Sequence, residues 1–219
     1  MIRSTTPVIT RSSRHLTGGR GSLIALVVLA AALVAIAVGA GAANAASTWI
    51  GSDLDSTVQP SNASQAHDCD ANPGGYCSWV MGEAYGNPGG EASTKDGYLK
   101  KIKLIGGEAG SFKLQVVKTT SDGHTKLVRN GPKIHYDGQQ QYNWDNDDYN
   151  VEKYKTHLKI KHGERLAIKA KSTSTLRCSS GGSNILQYSP VLKKHDGYRI
   201  YEETEGCYML IEGKVKYSG

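Results

Sequence analysis

The side chains best able to do chemistry are concentrated between Tyr136 and Asn150. There Tyr136, Tyr142, Trp144 and Tyr149 are interspersed with glutamines, asparagines and the acids Asp145, Asp147 and Asp148. Aromatic faces beside amides and carboxylates suit a saccharide, whose ring C–H face stacks while its hydroxyls find directional partners. In an extended backbone Tyr142 and Trp144 share one face; the same two rings also suit the core of a β-protein. Asp145, Asp147 and Asp148, with Asn143, Asn146 and Asn150, are hard oxygen ligands of the kind calcium prefers. The EF-hand spacing fails, because no glycine stands at the sixth position and Thr156 replaces the bidentate glutamate. The plain alternative is a solvated acidic loop. Calcium is the one cofactor this sequence suggests.

Other chemistries lack their residues. The chain has no G-x-S-x-G, no H-E-x-x-H and no Walker-type phosphate loop. Gly106-Gly107-Glu108-Ala109-Gly110 lies between two β-like runs and reads as a hairpin loop, not as a phosphate cradle before a helix. His67, His124, His135, His157, His162 and His195 are scattered, mostly beside turn residues. Glu202, Glu203 and Glu205 form an acidic cluster before Cys207. A glycosidase needs two carboxylates with separated pKa values facing each other across a cleft, and an acidic loop explains the cluster as well. The expectation is a protein that is not an enzyme.

The N-terminal segment decides the compartment. Leu23–Ala46 has no charged side chain, Arg3, Arg11, Arg14 and Arg20 precede it, and Ala43-Asn44-Ala45 ends it. That order is the layout of a secretory signal peptide, with cleavage before Ala46. The run also approaches the ~20 residues that span a bilayer, so an uncleaved anchor is the rival, and membrane attachment is expected only in that case. Removing the four leader arginines leaves 26 − 4 = 22 basic residues against 20 acidic ones. That near balance gives no electrostatic case for nucleic acid. The remaining lysines alternate with apolar residues, the pattern of a solvated strand face.

Four cysteines in an exported chain point to two disulfides. Cys69–Cys77 and Cys178–Cys207 are the expected pairs: Asn72-Pro73-Gly74-Gly75 turns the chain between the first two, and the second two lie in neighbouring strand-like segments. Spacings that lack close Cys-x-x-Cys pairs argue against structural zinc.

Residues 46–94 are rich in Gly, Ala, Ser, Asn and Pro. They read as a loop-rich N-terminal region with a short strand near Trp79–Met81. From residue 95 to 219 the chain reads as strands separated by turns. Gly97–Ile105, Phe112–Thr119, Thr125–Arg129, Lys133–Tyr136, Thr156–Lys161, Arg165–Lys171, Asn184–Tyr188, Tyr198–Glu203 and Cys207–Tyr217 are the segments. Asp122-Gly123 and Asn130-Gly131-Pro132 are among the turns. About nine short strands with no helical period predict an all-β fold, a single antiparallel β-sandwich of jelly-roll type following the leader.

The same region resembles the uncharacterised exported β-sandwich proteins common in actinobacteria. The matching features are Asp96-Gly97 opening the first strand, the strand pair Leu99–Val117, and Gly163–Ile168. The small-residue run Cys178–Gly182, Tyr188-Ser189-Pro190 and the closing segment Cys207–Val215 also match. The resemblance implies a secreted module without an assigned activity. The expected function is an exported, extracellular, non-catalytic β-sandwich that binds cell-wall or environmental polysaccharide. A cell-surface structural or protein-interaction module is the alternative, and a small secreted hydrolase is a third reading.

Overall fold

A computed structural model describes residues 46–54, 63–65, 69, 75–107, 109–138, 151–171 and 177–217. The expected leader, residues 1–45, lies outside them. Eleven strands are present among the described residues and no helix. They are β1 (Ser47–Gly51), β2 (Ala63–Gln65), β3 (Tyr76–Met81), β4 (Gly97–Leu104), β5 (Gly110–Thr119), β6 (Thr125–Tyr136), β7 (Glu152–Ile160), β8 (Glu164–Lys171), β9 (Arg177–Tyr188), β10 (Glu203–Met209) and β11 (Ile211–Tyr217).

Every ladder is antiparallel. One sheet has the order β1-β11-β4-β7; the other runs β10-β9-β3-β8-β5-β6, with β2 also on β9. Alternation explains why they pack face to face. Ile50, Leu99, Ile102, Leu104, Leu158, Ile160, Ile211 and Val215 of the first sheet meet Trp79, Met81, Phe112, Leu114, Val116, Leu166 and Ile168 of the second in one buried cluster. Period-2 strands with one apolar face reach water-free packing only in such a pair. Trp79, the largest fully buried side chain, donates its indole N–H to Gln187 Oε1 at 3.1 Å, so its polar atom is satisfied inside the core.

The two outer faces differ. Val80, Val117, Leu127, Ala167 and Tyr188 point away from the core on the seven-stranded sheet, and Leu192 and Tyr201 of the β9–β10 connection cover them. Ser78 Oγ accepts from the Leu192 backbone N–H at 3.0 Å and donates to Gln115 Oε1 at 2.8 Å, which ties this roof to the sheet. Thr125 and Arg199 exchange backbone hydrogen bonds across it. Gly123 is required here: its φ is +83°, and a Cβ would come 2.8 Å from the Tyr201 ring.

Five expectations need correction. The glycine-rich run after β4 is no hairpin loop, because β4 and β5 lie in different sheets. β1 lies inside the region read as loops, and it pairs with β11 from the far end of the chain, Thr48 opposite Val215. Asn130-Gly131-Pro132 is not a turn. It is a bulge within β6, where Lys113 pairs with Lys133 and Gln115 with Asn130. β6 is an edge strand, so the missing N–H of Pro132 breaks no ladder, and Gly131 lets the backbone pass close to Leu114 and Leu158. Cys207–Tyr217 is two strands, divided at buried Leu210, where the chain leaves one sheet for the other. Of Tyr198–Glu203 only Glu203 is in a named strand; the rest belongs to the roof.

Candidate functional site

Both expected disulfides are present. Cys69–Cys77 has Cα atoms 5.7 Å apart, and Cys178–Cys207 joins β9 to β10 with Cα atoms 5.5 Å apart. No free cysteine remains. Two bridges suit an oxidising compartment.

Of the residues singled out between 136 and 150, only Tyr136 is described. It closes β6, is 5% exposed, and its ring centroid lies 6.0 Å from that of Phe112 in the core. A ring so buried offers no stacking face to a sugar. Tyr142, Trp144, Tyr149, Asp145, Asp147 and Asp148 lie outside the described residues. The flanks of the stretch are joined by Glu152, whose carboxylate accepts from the Asp137 and Gly138 N–H groups, both at 2.9 Å, and from the Tyr154 hydroxyl. Burial first, and then the bond to Glu152, push the Tyr154 phenol well above its ordinary value.

The described histidines do not converge. His124 pairs with Asp122 in the exposed β5–β6 hairpin at 3.0 Å, and the Asp122 carboxyl is held low chiefly by the Thr120 hydroxyl. His157 lies on β7, and His162 and His195 lie in exposed turns. Glu202 of the acidic cluster accepts from Arg199 at 2.9 Å and from Ser189 N–H at 2.6 Å, as part of the roof. Among the described residues no three His, Cys, Asp or Glu side chains gather as a metal site.

The distinctive assembly is the outer face of the four-stranded sheet. Strand register brings Trp49, Lys214, Lys101 and Lys155 into one row across β1, β11, β4 and β7. The adjacent row is Glu212, Lys103 and Lys153, and a third holds Lys216, Tyr98 and Lys159. Alternation puts all of these outward, because their strand neighbours Ile50, Ile102, Leu104, Leu158 and Val215 fill the core. Lys100, at a bulge in β4, turns outward too; its Nζ is 3.0 Å from His157 Nδ1 and 5.3 Å from the Tyr98 ring centroid.

The centre of this face is rigidly held. Lys103, 6% exposed, is paired at 3.0 Å with Glu212, 3% exposed, and its ammonium lies 4.0 Å from the Trp49 ring centroid. Lys214 Nζ is 5.5 Å from the same ring. Desolvating an ammonium is costly unless it is paired and its remaining protons have partners, and here a carboxylate and an aromatic quadrupole both compensate it. Around this centre runs a groove of about 320 Å³ lined by Trp49, Lys101, Lys103, Lys153, Lys155 and Lys214, with Ile102 and Tyr154. No connection roofs it among the described residues. Its residues can hold an anion by charge and by N–H donation, and they include no nucleophile paired with a base.

Compared with known proteins, the chain matches no family model, no curated sequence and no solved structure.

Sequence reading had each lysine as one member of a solvated strand face. The juxtaposition was hidden, since it arises only when β4 lies between β7 and β11, far apart in the chain. The signal that was available is the recurrence of K-x-K spacing, at Lys101/Lys103, Lys153/Lys155, Lys159/Lys161 and Lys214/Lys216, although Lys169/Lys171 of the other sheet shares it.

Proposed function

We propose that this chain is an exported, non-catalytic β-sandwich that binds polysaccharide outside the cell, through the open face of the four-stranded sheet. The observation that carries the reading is the groove beside Trp49, built over a buried Lys103–Glu212 pair on a face that no described segment covers. Polar, long-reaching donors around a shallow, pre-formed concavity suit a hydroxyl-rich polymer better than an apolar ligand. Export is supported by the leader pattern and by the two disulfides. The non-catalytic reading is supported by the partners of the buried acids: Glu164 is held by Arg129, Glu212 by Lys103, and Glu152 by backbone N–H groups and Tyr154.

The test is retention on immobilised polysaccharides, neutral and acidic, with assay of released reducing ends. The expected result is binding to at least one matrix, release by the same polymer in solution, and no accumulation of reducing ends. Flow through every matrix, or steady hydrolysis, overturns the reading.

A further inference from the structure

We propose that the polymer taken by this face is an acidic polysaccharide carrying one charge per sugar, lying across the strands along the row Lys214–Lys101–Lys155. The inference rests on the polysaccharide reading above and names its substrate class.

Three observations carry it. First, Lys101 stands directly opposite both Lys214 and Lys155, and Lys153 stands opposite Lys103. Like charges directly opposed across strands are destabilising. Lys103 has Glu212, but Lys101, Lys153, Lys155 and Lys214 are in no ion pair with an acid among the described residues. A polyanion removes that repulsion, and it binds where the local field is strongest. Second, neighbouring strands lie about 4.8 Å apart, so the lysines of the row are rooted on the sheet at a repeat close to that of successive sugar rings.

Third, the face lacks what other polyanions require. Its cations are lysines, point charges without the planar fork that reads phosphates or base edges bidentately. Trp49 already carries Lys103 and Lys214, and Tyr98 carries Lys100 and lies edge-on to His157, with ring centroids 4.7 Å apart. A base stacking on either ring would compete with these contacts. Among the described residues no helix or ribbon protrudes to enter a duplex groove, and no apolar side chain stands out beside the lysines to insert among lipids.

The experiment measures affinity of the full chain for polygalacturonate, a neutral glucan, double-stranded DNA and vesicles rich in phosphatidylglycerol, in a salt series. Three proteins are compared: wild type, Lys101→Glu/Lys155→Glu, and Lys113→Glu/Lys133→Glu. The last makes the same charge change on an exposed lysine pair of the other sheet. The expected result is salt-sensitive binding to polygalacturonate, weakened about tenfold or more by the first double variant and less than about twofold by the second. Equal losses in both variants overturn the inference, because net charge alone then explains binding. Tighter binding to DNA or vesicles overturns it in favour of those partners. Binding to neutral glucan that neither variant alters overturns the acidic class while leaving the polysaccharide reading standing; binding to no polysaccharide removes both.

Discussion

The two outer faces of this sandwich solve the same problem in opposite ways. On the seven-stranded sheet, apolar side chains that face outward are covered by the β9–β10 connection, with Leu192 and Tyr201 against Val80, Val117 and Tyr188. A shorter lysine row, Lys133–Lys113–Lys169, crosses the same sheet beyond that cover. On the four-stranded sheet no cover is seen among the described residues. Outward positions there are lysines around a locked tryptophan, with Glu212 as the buried counter-charge. The roofed face is a second small core. Both faces carry directly opposed lysines, which cost stability; the open face differs in having Trp49 and the buried Lys103–Glu212 pair beneath them. The difference teaches that exposure alone does not single out a face; what sets the open face apart is the buried support beneath it.

The contrast is broken most severely at its centre. Lys103→Ala removes the ammonium that stands 3.0 Å from buried Glu212 and should cost about 3–5 kcal/mol in chemical denaturation. A loss below about 1 kcal/mol would mean that the pair is solvated and the face has no rigid support. Under the roof, Leu192→Ala should cost about 2–4 kcal/mol through the cavity it leaves, while Lys101→Ala on the open face stays within about 0.5 kcal/mol. Equal costs would erase the distinction between the two faces. Opening Cys178–Cys207, whose members are 29 residues apart, should cost about 3.5 kcal/mol. Cys69–Cys77, 8 apart, should cost about 2.5 kcal/mol by loop-closure entropy. The reverse order in paired serine variants would show that the seven-stranded sheet does not depend on its β9–β10 staple.

The smallest effect concerns pH. The raised phenol of Tyr154 keeps its proton in the folded state at pH values where the unfolded chain has lost it. Its contribution is therefore complete below the ordinary tyrosine value of about 10 and is lost as pH rises through the higher folded value. Tyr154→Phe should flatten the alkaline fall in Tm, and an unchanged slope would separate Tyr154 from that fall.

Much of the fold was legible because period-2 alternation is a local signal. Gly97–Leu104, Gly110–Thr119 and Glu164–Lys171 are strands for the reason their sequences give, and Asp122-Gly123 turns where it should. The disulfide pairs were legible from a turn between Cys69 and Cys77 and from the placement of Cys178 and Cys207 in segments that read as neighbouring strands. What local pattern does not hold is partnership. β1 is five residues long, and it is fixed by β11 at the opposite end of the chain. Gly131-Pro132 carries turn chemistry, yet an edge strand absorbs it as a bulge. The cationic face was invisible in the near-balanced charge, since the 20 acids and 22 bases outside the leader average out while strand order separates them. The saccharide-like stretch was the reverse case: conspicuous in sequence, with its one described ring, Tyr136, serving the core.

The most direct measurement is chemical-shift mapping of the protein titrated with short polygalacturonate oligomers. The account predicts saturable shifts at the Trp49 indole N–H and at the backbone amides around Lys101, Lys155 and Lys214, with Val80, Leu192 and Tyr201 unmoved. Shifts centred on the roofed face, or spread evenly over every exposed lysine including Lys113 and Lys133, would contradict it.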